Sequence, residues 1–381
     1  MRFRPTEAVV DLDAVRHNAR TIKPAGAELM AVVKADAYGH GDVPVARAAI
    51  DGGATWLGVA QVEEGLRLRE AGLEAPILTL TEFPADSEKE ALAARLTPTV
   101  YTSSGVARVA EAAKSLDRSI GVHVKIDTGM HRVGLAPDRA PALVREVLDA
   151  GLELDGLWTH FAKADEPEDP ITREQLRRFL EVTERLGAQR IRPRLRHAAN
   201  SAGVMTIPMS HLDLVRVGVA LYGIEPAPGL AEGIDLRPAM SLRSAVSLVK
   251  RVPAGDAISY GLRYRLEGDA TIATVPIGYA DGYARGLSEQ GAVLIGGKRY
   301  PVAGAVTMDH ITVDCGDDPV EPGDEVVLFG RQGDDEITAN ELASWHGTIG
   351  YEVVCAVSKR VPRDYVGELE GIARQERGGG S

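Results

Sequence analysis

Only two cysteines, Cys315 and Cys355, occur in 381 residues. They offer neither a disulfide framework nor metal-ligand spacing, so both read as small buried hydrophobes in a reducing compartment. Basic residues are outnumbered, 43 Lys plus Arg against 55 Asp plus Glu for a net charge of −12, and they form no cluster. Nucleic acid and anionic membrane are therefore not expected as partners. No apolar run approaches the ~20 residues that cross a bilayer, and Met1-Arg2-Phe3-Arg4-Pro5 lacks the apolar core of a signal peptide, so a cytoplasmic location is expected. Solenoid repeats and low-complexity tracts are missing. The stretch 375–381, ending in Arg377-Gly378-Gly379-Gly380-Ser381, reads as a flexible tail without fold information.

What is present is an ordinary globular balance, 44% hydrophobic and 26% charged, in a chain long enough for two domains. The valine-rich run Leu29 to Val33 ends at Lys34, as a buried parallel strand delivering an ammonium group at its C-terminal end. Gly39 and Gly41 let the backbone turn and bring Tyr38 back toward that lysine. Partial burial there would lower the amine pKa and suit a Schiff-base nucleophile; the alternative is a surface lysine closing a strand. Further apolar runs at 56–60, 76–80, 98–101, 121–127, 152–158, 194–199 and 212–222 alternate with amphipathic stretches such as Gln61 to Ala71 and Thr172 to Leu186. This alternation predicts a (β/α)8 TIM-type barrel over 1–237, whose first apolar segment packs with the second domain. An open doubly wound sheet is the alternative, and no Gly-x-Gly-x-x-Gly follows any of these strands to support it. From 238 to 374, short alternating runs punctuated by Gly, Pro and Asp predict a mostly antiparallel β domain.

Barrel chemistry gathers at the C-terminal ends of strands. Those ends carry Asp127 to Gly134 with Arg132, Thr159-His160-Phe161, His197 to Gly203 with Asn200 and Ser201, and Arg216 to Gly223. Arg132, Ser201, Tyr38 and the peptide groups near Gly218 are what a small anion such as a phosphate requires. Yet Arg216 could equally be an ion-pair partner, His160 and His197 core histidines, and Asn200 a helix cap. Six tyrosines adjoin glycine (Tyr38, Tyr222, Tyr260, Tyr279, Tyr283, Tyr351), and several are expected to project from loops into a site or interface.

Taken together and in order, these segments resemble the alanine racemase family, the fold-type III enzymes that carry pyridoxal 5′-phosphate on a barrel lysine. The likeness runs through AVVKADAYGHG (31–41), DTGMHRVG (127–134), THFAKAD (159–165), 200–203 and 216–223, then Ile258 to Gly261, PIGYADG (276–282), Met308-Asp309 and Gly350 to Glu352. It implies a homodimer with shared active sites that interconverts L- and D-alanine and supplies D-alanine for cell-wall peptidoglycan. Lys34 would carry the cofactor and act as base on one face of the substrate carbon, with the partner's Tyr260 as base on the other. Arg216 would face the pyridine nitrogen, with His160 and Asn200 positioning it and the ring. Tyr38, Ser201, Tyr351 and the backbone at Gly218 and Val219 would hold the phosphate. Arg132 would touch the cofactor ring oxygen and the substrate carboxylate, with the Met308 amide from the other chain completing the carboxylate pocket; His197 would orient Tyr260, Tyr279 would narrow the entrance, and Lys125 matches a position that some relatives carbamylate. Gly304-Ala305-Val306-Thr307-Met308-Asp309-His310 departs from the arginine and glutamine that many members carry there, which bears on strictness for alanine. A broader serine/alanine racemase is the nearest rival. A fold-type III decarboxylase would call for a reactive cysteine that Cys315 and Cys355 do not resemble, and a non-catalytic barrel would end near residue 230.

Overall fold

The computed structural model describes residues 3–367, and the predicted tail at 375–381 lies outside them. The chain forms two compact units: residues 16–237 with 348–355, and residues up to 15 with 238–347 and the segment from 356 on.

The larger unit is a ring of parallel strands. Leu214–Val217 pairs with Glu28–Val32, then Trp56–Val59, Ile77–Thr79 and Leu96–Thr97 follow in order. A second ladder runs Thr99–Val100, Gly121–Lys125, Glu153–Trp158 and Leu195–His197. Pro98, without an N–H, breaks the strand shared by both ladders, while its carbonyl still accepts from His123 N at 2.9 Å. The other seam is bridged by Asp213 N to Arg196 O and Arg216 N to Ala199 O, each 3.0 Å, so eight strands close on themselves. Near-continuous burial of Leu29 to Val33 is what a strand covered on both faces requires. Met30, Trp56, Leu78, Leu195 and Leu214 pack into one core cluster. The run expected at 212–222 divides: the strand stops at Val217 and Val219–Tyr222 is a 3-10 turn.

In the smaller unit, Met240–Ala245, Glu325–Gln332, Ala292–Ile295 and Lys298–Pro301 form an antiparallel sheet, extended by Glu7–Asp11 and then Arg363–Val366. Glu7–Asp11 runs antiparallel to Met240–Ala245 and parallel to Arg363–Val366. Asp11 Oδ1 caps the helix that follows, accepting from Asp13 N and Ala14 N. Leu248–Val252, Ala270–Val275 and Ile311–Asp314 make a second, three-stranded sheet. Cys315 is buried as expected, but Cys355 is exposed on the helix Gly350–Ala356, because that helix turns Val353 and Val354 inward instead. Tyr222 and Tyr283 are core residues and do not project from loops; the Tyr222 hydroxyl donates to Val32 O at 2.9 Å.

Candidate active site

Lys34 follows the first barrel strand and opens an unusual turn. Ala35, Asp36, Ala37 and Tyr38 all have φ between 52° and 54°, a left-handed helical turn built from non-glycine residues. Each such residue costs about 1–2 kcal/mol, so the surroundings must hold it. Glu64 does so with one carboxylate: Oε1 accepts from Ala35 N at 2.7 Å, and Oε2 accepts from Ala60 N and Gln61 N. Asp36 Oδ1 accepts from Asp42 N, and Gly39 lies so close to Val354 O that a Cβ would approach it to 2.5 Å. That approach seats the helix Gly350–Ala356 against the lysine turn, so Tyr351 belongs to the barrel unit.

A cavity of ≈ 520 Å³ opens at this rim. Lys34, Lys125, Arg132 and Arg216 line it with Tyr38, Tyr351, His160, Asn200 and Ser201, and Gly218 and Val219 supply backbone. None of the described residues lining it is acidic. A chain with a net charge of −12 thus concentrates cations in one cleft. Burial and the Arg132 charge lower the Lys34 pKa below its ordinary value. Lys125, over the Trp158 ring at 4.1 Å, is brought down to about 7 by burial and then by Arg216, Arg132 and Lys34. Burial pushes the Tyr38 hydroxyl up strongly and that of Tyr351 to about 12, so both stay protonated donors. Ser201 Oγ accepts from Gly218 N at 3.0 Å, and Asn200 Oδ1 caps the following turn through Gly203 N at 2.9 Å.

Arg216 is buried, and both of its terminal nitrogens are engaged. Nη2 donates to Thr159 O at 2.7 Å and Ala198 O at 3.0 Å and stands 3.2 Å from His160 Nδ1, while Nη1 lies 3.0 Å from His197 Nδ1. A guanidinium has only donors, so His197 Nδ1 accepts from Nη1, while Nη2 shares its two hydrogens among Thr159 O, Ala198 O and His160 Nδ1. Burial and the Arg216 charge keep both histidines well below their ordinary pKa. Burial lowers Arg216 itself to about 9, which still leaves it charged at neutral pH.

His197 departs from expectation. Its second nitrogen, Nε2, is 2.9 Å from His123 Nδ1, so both nitrogens are committed inside the barrel and neither remains to orient Tyr260. Tyr260, Tyr279 and Met308 belong to the smaller unit and are 78%, 42% and 53% exposed. Tyr260 tops a turn in which Ser259 has φ 63°, Gly261 81° and Leu262 49°, pinned by Ser259 Oγ donating to Ala305 O at 2.8 Å. The turn thus presents Tyr260 outward on a locally strained backbone. Tyr279 N donates to Thr307 O and Ala280 N to Met308 O, which ties Tyr279 to the Met308 segment. Sequence reading passed over Trp158, against which Lys125 and Arg216 both lie, and His123 behind His197. A tryptophan two residues before His160 at a strand end was the available signal.

A closed parallel barrel with a lysine ending its first strand and a cationic, carboxylate-free cavity defines an enzyme that holds an anionic ligand against an amine. Residues 10–226 match the alanine racemase N-terminal domain and 239–365 the alanine racemase C-terminal domain. The chain belongs to the alanine racemase family. It is 50% identical over 371 residues to an alanine racemase of Symbiobacterium thermophilum, covering 96% of this chain and 98% of that one. Among solved structures, alanine racemase from D-cycloserine-producing Streptomyces lavendulae superposes with TM-score 0.93 at 41% identity, covering 97% and 99% of the two chains. Alanine racemase from Bacillus anthracis with bound L-Ala-P gives 0.88 at 38% identity, covering 96% of each.

Proposed function

We propose that this protein interconverts L- and D-alanine with pyridoxal 5′-phosphate held on Lys34, as a cytoplasmic homodimer in which Tyr260 of each protomer serves its partner's site. The observation that carries the reading is the donor set: four basic side chains, two of them arginines, and two protonated phenols face one cavity without a carboxylate, which fits a phosphorylated cofactor and an amino-acid carboxylate together. Bound there, the cofactor would supply an electron-withdrawing ring that acidifies the α-hydrogen of an amino acid.

The chain's own groups do the rest. Tyr38, Ser201, Tyr351 and the backbone at Gly218 and Val219 hold the phosphate. Arg216 keeps its proton and so does not protonate a ring nitrogen set against it, which favours return of the proton to the same carbon. His160 and Asn200 position that pair. Arg132 and the partner's Met308 amide bind the substrate carboxylate. Lys34, its basicity lowered by burial and Arg132, moves a proton on one face of the carbon, and the Tyr260 phenol moves one on the other. The exposure of Tyr260 on its strained turn supports delivery to a second protomer. Tyr279 narrows the entrance toward a methyl side chain. Lys125, with much of its amine neutral near pH 7, is suited to carbamylation beside Arg132. The product would feed cell-wall peptidoglycan. Incubation of the cofactor-loaded protein with L-alanine and with L-serine, followed by chiral chromatography, tests the reading. Formation of D-alanine in clear excess over D-serine supports it, and no D-alanine overturns it.

A further inference from the structure

Behind Arg216 a single file of polar side chains crosses the barrel. Arg216 Nη1 meets His197 Nδ1 at 3.0 Å, His197 Nε2 meets His123 Nδ1 at 2.9 Å, and His123 Nε2 meets Asp155 Oδ2 at 3.1 Å. Asp155 lies toward the start of the strand Glu153–Trp158, and Arg194 closes the file there, its Nε 2.6 Å from Asp155 Oδ1 and its Nη2 3.0 Å from Oδ2. Both histidines are fully buried. Trp158 stacks on His197 within 7° of parallel, and Trp56 packs against His123. Two strand glycines make the room. A Cβ on Gly156 would stand 2.3 Å from His123 Nδ1, and one on Gly121 would stand 2.9 Å from Asp155 Cβ. Glycine weakens a strand interior, so the placement of Gly156 inside its strand and against His123 argues that the file is built.

Proton placement along the file admits one solution. A carboxylate only accepts, so His123 carries its hydrogen on Nε2 and accepts at Nδ1; His197 then carries its hydrogen on Nε2 and accepts from Arg216 at Nδ1. We propose that Asp155 is a positioning residue for the reaction: through His123 and His197 it fixes the tautomers that let Arg216 donate inward and hold its plane at the cavity. The consequence for turnover rests on the racemase reading; the proton placement does not. A plain ion pair at the foot of the barrel would tie Asp155 to Arg194 without setting either tautomer.

The test is nitrogen NMR of the holoenzyme labelled with 15N-histidine, with His123 and His197 assigned by single His→Asn variants. In the parent, both residues should show a protonated Nε2 and a bare Nδ1; a protonated Nδ1 at either overturns the proposal, whatever the activity. Asp155→Asn leaves one oxygen, which the Arg194 fork claims, and turns an amide N–H toward His123. That reverses both tautomers and sets His197 N–H against Arg216 N–H. Expected are inverted tautomers and a several-fold fall in kcat with KM for alanine little changed. Adding Arg194→Leu frees the amide to rotate its oxygen toward His123 and should restore both readouts. An Asp155→Asn protein that keeps both bare Nδ1 atoms, or a double variant further from the parent than the single, overturns the proposal.

Discussion

A methyl group on Gly218 would stand 2.5 Å from the Tyr38 hydroxyl. Tyr38 is held from behind by Tyr222 at 4.9 Å between ring centroids and flanked by Tyr351 at 6.3 Å, so it has little room to retreat. Gly218→Ala should therefore displace the hydroxyl assigned to the phosphate. Overpacking of this kind costs about 1–3 kcal/mol, so cofactor affinity is expected to fall on the order of tenfold or more. Fluorescence titration of the apo protein with pyridoxal 5′-phosphate checks this, and an unchanged Kd would remove Tyr38 from the phosphate site.

The same loop shows where sequence stops being informative. The strand before Lys34 was legible because a strand buried on both faces must be an apolar run, and the seven other barrel strands were found on that rule. The left-handed turn over Ala35 to Tyr38 was not, since alanine has no local preference for positive φ and the turn depends on Glu64 and on the approach of Gly39 to Val354. Tyrosine next to glycine marked Tyr38, Tyr260 and Tyr351 but equally Tyr222 and Tyr283, which are core: adjacency to glycine permits a turn without deciding which way the ring points. His197 was visible at a strand end, but only packing shows that His123 occupies its second nitrogen.

Tyr260→Phe removes the only acid–base group on its turn while keeping the ring. An enzyme acting on a pair of mirror images must keep kcat/KM equal in both directions, so the loss shows as slower net racemisation, by about 10²–10⁴-fold for a positioned acid–base group. Exchange of the α-hydrogen with deuterated water should persist for the one enantiomer whose hydrogen faces Lys34. Exchange slowed equally for both enantiomers would count against two bases on opposite faces.

Lys125 predicts a pH dependence. Its pKa is about 7 in the folded protein against an ordinary value of 10.5, so between those limits the unfolded chain binds more protons than the folded one. Stability from this group rises as pH increases from about 7 to about 10.5 and is at its lowest below pH 7. In buffer free of carbon dioxide, Lys125→Met should raise Tm most at pH 6 to 7, with the gain shrinking toward pH 9. Thermal melts across that range check the sign. With 13C-bicarbonate present, a carbamate resonance should appear in the parent and be missing from the variant.

Two glycines of the barrel unit should respond to alanine with opposite signs. Gly187 lies in the helix Ile171–Ala188, and nothing stands within 4 Å of where its Cβ would be. Alanine there limits the unfolded chain and suits the helix, so Gly187→Ala should stabilise by about 0.5–1 kcal/mol, a rise in Tm of roughly 1–4 °C. Gly156 faces His123, whose ring lies 2.3 Å from an added Cβ and is walled by Trp56 and His197. Neither the ring nor the strand has space to yield, so Gly156→Ala should destabilise by about 1–3 kcal/mol or more. It should also break the file from Asp155 to Arg216, lowering kcat beyond what the melt alone accounts for. Calorimetry of the two variants side by side gives the comparison, and a Gly156→Ala protein as stable and as active as the parent would show that the histidine file tolerates displacement.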